Sequence, residues 1–164
     1  MIAITKRVLP LIAATALFSF TQKADPANFG GQWKLNESKS ELGEFGGRMA
    51  AKSIKIDQKA DGVSIVRNAT NFQGEETVRT ENLTFDGKVV ESAGGFGNAV
   101  RKSSVKWSAD QKQMIVNYSI AFGDNEFKGT ETFSLSADGK TLTIQTTSAG
   151  PQGDMTTKAV YDKQ

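Results

Sequence analysis

The chain contains no cysteine and no histidine among its 164 residues, and only three prolines, two tryptophans and two tyrosines. Without cysteine there is no disulfide, no thiol nucleophile and no thiolate ligand for zinc or iron–sulfur centres. Without histidine the commonest general base and the commonest metal ligand are also missing. Most hydrolytic mechanisms thereby lose their central base, so no catalytic residue, no metal and no cofactor is expected. Carboxylates are plentiful but scattered, with no spacing that fixes a catalytic pair. Stability must come from packing, and this length allows one domain with a substantial core.

Long hydrophobic runs are equally scarce. The principal run, "VLPLIAATALFSF" at 8–20, follows Lys6 and Arg7 and gives way to small polar residues at Thr21 and Gln22. Thirteen residues interrupted by Pro10 fall short of a bilayer span of roughly 20. A basic start, an apolar stretch and a small-residue exit form a secretory signal peptide. Residues 1–21 are therefore read as a signal peptide, 22–28 as an N-terminal tail and 29–164 as the folded domain, placing the protein in the periplasm or outside the cell. No cysteine follows the run, which excludes a lipoprotein anchor, and no stable membrane insertion is expected after cleavage. Losing Lys6 and Arg7 from 20 basic residues leaves 18 against 18 acidic ones. A neutral, interspersed surface gives no electrostatic basis for a nucleic-acid partner.

What the chain has is regular punctuation. Turn signals recur at "ADG" (60–62), "FQGE" (72–75), "FDGK" (85–88), "GGFGN" (94–98), "SADQK" (108–112), "FGDNE" (122–126), "SADGK" (136–140) and "AGPQGD" (149–154). Glycine accepts the positive φ of tight hairpins. The intervening segments are rich in Val, Ile, Thr, Phe and Tyr. Ten segments are predicted as strands: 30–36, 51–58, 62–69, 75–84, 87–93, 98–107, 112–121, 126–136, 140–148 and 154–162. The fold class is all-β, an antiparallel up-and-down meander closed into an eight- to ten-stranded barrel. One connection is long. In it Ser38 and Glu41 have capping-box spacing, and Leu42, Phe45 and Met49 fall on one face of a short helix, a plug or lid after the first strand.

Side chains alternate between the two faces of a strand, so charges on apolar faces are informative. Arg67 shares a face with Val63 and Ile65, Arg79 with Leu83 and Phe85, and Arg101 with Val105 and Trp107, while Glu131 lies between Phe127 and Phe133. Strand lysines 102, 106, 128 and 158 fall on polar faces. Arginine suits a partly buried anion site because its planar donors bind bidentately and its charge survives desolvation. Two other readings of the same pattern stay open: Glu131 neutralises an arginine internally, or a β-bulge turns one outward. "AGGFGNA" lacks the helix and Lys-Ser/Thr pair of a phosphate loop and reads as a hairpin turn.

The stretch "FGGQWKL" at 29–35, with Gly31 and Trp33, resembles the Gly-x-Trp motif that opens the barrel of the calycin superfamily, the lipocalins and fatty-acid-binding proteins. The resemblance implies that Gly31 and Trp33 close one barrel end. "VYDK" at 160–163 is similar to that group's last strand, where Arg-x-Tyr holds a ligand carboxylate. Tyr161 matches the tyrosine, but Ala159 replaces the arginine and Lys158 belongs to the opposite face. The cation must come from elsewhere, Arg101 or Arg79. The segment after the first strand is also shorter than that family's two-helix portal.

The resulting expectation is an exported carrier or sensor for a small hydrophobic or amphipathic ligand, anionic in character. Trp107, Tyr118, Phe133 and Tyr161 would line the lumen, with Arg67, Arg79, Arg101 and Glu131 as polar contacts. A filled barrel acting through its loops, as a cell-envelope interaction module, is the alternative, and an enzyme using Glu131 near Arg101 is the third.

Overall fold

The computed structural model describes residues 25–43, 47, 50–71, 74–94, 98–150 and 153–164. The proposed signal peptide and the expected lid residues Phe45 and Met49 lie outside this set. Ten strands run in chain order: β1 (Gly31–Leu35), β2 (Ser53–Gln58), β3 (Gly62–Thr70), β4 (Glu76–Thr84), β5 (Val90–Ala93), β6 (Val100–Trp107), β7 (Met114–Phe122), β8 (Asn125–Leu135), β9 (Thr141–Gly150) and β10 (Gly153–Lys163). They form one antiparallel sheet in the order β4-β3-β2-β1-β10-β9-β8-β7-β6-β5. The short β1 pairs with both β2 and β10 and so joins the first strands to the last. The sheet order ends at β4 and β5, which border a break in the wall, leaving a nearly closed ten-stranded barrel.

The turns at one end share a single chemistry. In "TFDGK", "SADQK" and "SADGK" the aspartate side chain accepts from the hydroxyl two residues before it and from the backbone N–H two residues after it. These Asx turns hold Asp86, Asp110 and Asp138. The residue after the aspartate takes a positive φ of 77° at Gly87, 57° at Gln111 and 67° at Gly139. After the first of these turns residues 87–89 adopt no regular structure, so β5 starts at Val90, three residues later than its composition predicts.

Apolar side chains pack the same end solid. Phe29 stacks on Trp107 with ring centroids 6.0 Å apart and meets Phe133 edge-on at 6.3 Å. Gln58 holds the incoming chain, accepting from Phe29 N and donating to Ala27 O. Trp33 is fully buried, and its indole N–H donates to Phe29 O at 3.0 Å. Gly31 sits at φ 140°, and a Cβ there would lie 3.1 Å from Lys163 Cε. The positive φ favours glycine at this point, whereas a Cβ would meet only the flexible end of Lys163. Lys163 Nζ in turn lies 5.3 Å from the Trp33 ring centroid.

The connection after β1 departs from the capping-box expectation. A single 3-10 turn, Glu37–Lys39, is capped by the Asn36 side chain, which accepts from Lys39 N, while Ser38 Oγ donates to Asn36 Oδ1. Glu41 instead forms a β-bridge with Lys158, through two backbone bonds and a 3.0 Å ion pair. Leu42 is thereby packed, partly buried, against the core. Gly43 and Gly47, beyond this bridge, are helical.

Candidate ligand-binding site

Above the apolar end, five lumen-facing strand positions form a buried polar layer: Arg67 from β3, Glu81 from β4, Arg101 and Ser103 from β6, and Glu131 from β8. Arg67 donates to Glu81 and, at 2.5 Å, to Glu131. Arg101 Nε donates to Glu81 Oε1 at 2.7 Å and to Ser103 Oγ at 3.1 Å, and Ser103 Oγ donates to the same Glu81 oxygen. Arg101 Nη2 stands 3.2 Å from Glu131 Oε1. The two carboxylates thus bridge two guanidiniums in a ring that spans the lumen.

Tyr118 covers part of this ring. Its side chain lies across Gly129 on β8, where a Cβ would come within 2.5 Å of the phenol oxygen. The Arg101 guanidinium lies 3.8 Å from the centre of the Tyr118 ring, a cation–π contact. Arg79, opposite Arg67 in the β3–β4 register, is engaged differently. Its Nε approaches Glu81 Oε2 only to 3.6 Å, makes no hydrogen bond and is buried. Three guanidiniums therefore face two carboxylates in the described cluster, an excess of one positive charge.

The electrostatics follow from this arrangement. Burial pushes the Glu81 carboxyl up, but Arg67, Arg101, Arg79 and the Ser103 hydroxyl outweigh it and hold the group at about 2. Burial likewise opposes ionisation of Glu131, and Arg67 and Arg101 prevail, leaving it below the ordinary carboxylate range. Burial, with the like charges of Arg67 and Arg101, lowers Arg79 to about 10 despite Glu81. The Tyr161 phenol is raised to about 12 by burial, with Arg67 opposing.

For a carboxylate whose folded value lies below its unfolded value, the stabilisation is present above the unfolded value and lost as pH falls through the folded one. Glu81 places that window between an ordinary value near 4.5 and about 2. Urea midpoints measured from pH 7 to pH 2 should hold until about pH 5 and then fall. The fall should be shallower in Glu81→Gln; an identical pH profile would remove Glu81 as its cause.

Beyond the polar layer the lumen is hollow. A cavity of about 250 Å³ is bordered by Leu42, Ala50 and Ala51 of the plug, by Ala69, Thr70 and Asn71 at the end of β3, by Thr77 and Arg79 of β4, and by Gly94. Arg67, Tyr118, Glu131, Ile144, Thr146, Thr157, Ala159 and Tyr161 complete it. Of the residues expected from sequence, Arg67, Arg79, Tyr118, Glu131 and Tyr161 come together here. Arg101 is 2% exposed and packed against Tyr118. Trp107 and Phe133 lie lower, in the apolar cluster with Phe29. Glu81 and Ser103 were not among the expected residues, although the alternation rule that marks Arg79 and Arg101 places each of them on the same face.

No family model matches the chain, and no curated protein matches its sequence. Among solved structures, zebrafish ileal bile acid-binding protein complexed with cholic acid is similar at a TM-score of 0.51. The match covers 83% of this chain and 98% of that one at 18% identity. The fold is calycin-like. Trp33 is fully buried in the apolar cluster, with Gly31 two residues before it on β1. Arg67 acts electrostatically on Tyr161, opposing the rise that burial causes. Lys158 points outward to Glu41, as the strand alternation requires.

Proposed function

We propose that the protein is an exported carrier or sensor that binds a small amphipathic anion in the upper barrel. The observation that carries this reading is the cavity of about 250 Å³ whose wall holds a half-buried arginine, Arg79, with a buried, unbonded Nε beside a described cluster of net positive charge. Ligand pockets characteristically combine apolar lining with a few converging polar groups, and a bound anion would relieve the excess cation. Ala50, Ala51, Ala69, Ile144 and Ala159 supply the apolar part, and threonines 77, 146 and 157 the neutral polar part. Export follows from the pattern of residues 1–21. No chemistry on the ligand is proposed.

Native mass spectrometry of the protein purified from an exporting host, followed by organic extraction, tests the proposal. A bound organic anion, or one-to-one uptake of an added anionic amphiphile, is expected. A bare chain mass with no uptake from a mixed pool of anionic amphiphiles would contradict it.

A further inference from the structure

The calycin resemblance would place a ligand carboxylate at Tyr161, but no cation among the described residues is free there. Ala159 stands in the arginine position, Lys158 points outward to Glu41, and Arg67 is bonded to both Glu81 and Glu131. Among the described residues, two buried polar side-chain atoms border the cavity without a hydrogen bond, Arg79 Nε and Thr70 Oγ1. Of the two, Arg79 lies opposite Arg67 in the β3–β4 register, whereas Thr70 lies three residues beyond Arg67, opposite Glu76. A buried donor left unsatisfied costs free energy that a correctly placed acceptor recovers, and a guanidinium recovers more than a neutral donor.

We infer that the anionic group of the ligand docks on Arg79 in the β3–β4 wall, and that the ligand is a monoanion of about ten non-hydrogen atoms. This rests on the carrier reading above. The charge follows from three guanidiniums set against two carboxylates among the described residues: one negative charge completes that balance, and a second would be buried without a partner. The size follows from the volume, since a cavity of about 150 Å³ accommodates benzene. The polar ring closes the way into the lower barrel. An eight-carbon fatty acid anion has the required dimensions, whereas a molecule the size of cholic acid exceeds the cavity.

Isothermal titration with octanoate, octanol and octylamine tests the assignment in the native chain and in Arg79→Met, Thr70→Val and Tyr161→Phe. Octanoate is expected to bind the native chain at one site, at least tenfold tighter than octanol, with octylamine weakest. Arg79→Met should weaken octanoate by roughly tenfold to a hundredfold, as for a hydrogen bond to a charged group. Thr70→Val and Tyr161→Phe should each change it by less than twofold. Arg79→Met removes an unbalanced buried charge, so its urea midpoint should equal or exceed that of the native chain, separating lost binding from lost folding. If the native chain binds none of the three, the carrier reading fails and takes this inference with it. If it binds octanoate, but Tyr161→Phe abolishes binding while Arg79→Met retains it, the carrier reading stands and this docking position is overturned. Equal affinity for octanoate and octanol would also overturn it.

Discussion

Replacing Glu81 with glutamine should destabilise the fold by about 3–5 kcal/mol, the usual consequence of removing one partner from a buried ion pair. Glu81 is 1% exposed and receives Arg67, Arg101 and the Ser103 hydroxyl, with Arg79 at 3.6 Å. Glutamine keeps the shape and one acceptor but removes the charge, leaving three guanidiniums against Glu131 alone. Burying charge without a counterion is far more costly than losing a neutral hydrogen bond. Urea denaturation should show the midpoint falling by on the order of 2 M for a domain of this size. Arg67→Met combined with Glu81→Gln removes one charge of each sign and should recover part of the loss. A single variant within about 1 kcal/mol of the native chain would mean that solvent already relieves the ring.

The second large effect is at Trp33. Truncation to alanine should cost about 3–5 kcal/mol, typical of a fully buried aromatic cut back to a methyl group. The indole is 0% exposed, and its loss also leaves Phe29 O without the donor that fixes the incoming chain. Because Phe29 carries the stacking on Trp107 and Phe133, the damage should spread through the closed end. Trp107→Ala offers the comparison: Trp107 is only partly buried, so it should cost less. Thermal unfolding of the two variants should preserve that order. A reversal would shift the weight of barrel closure from Trp33 to Trp107.

Turn chemistry and period-two alternation made the ten strands readable, because both are local. The same alternation marks Arg67, Arg79, Arg101 and Glu131 as lumen-facing. It assigns a face but not a height along the barrel axis. That is why Trp107 and Phe133, on the expected face, lie beneath the polar ring while Tyr118 and Tyr161 border the cavity. Ion partners were less legible. Arg67 and Glu131 are 64 residues apart and meet only through the registers of intervening strands. The plug shows a tertiary override of a local pattern: the Ser38–Glu41 spacing favours a helix start, yet Glu41 pairs with β10, 117 residues away in sequence.

The account's central claim is that the ring of Arg67, Glu81, Arg101 and Glu131 floors a short cavity whose available cation among the described residues is Arg79. The most direct test is the dissociation constant of saturated fatty acid anions from four to sixteen carbons. Affinity should rise about fourfold per added methylene while each is buried, then level off near eight carbons as the cavity fills. A steady rise through sixteen carbons would show the lumen open past the ring, and would contradict the claim.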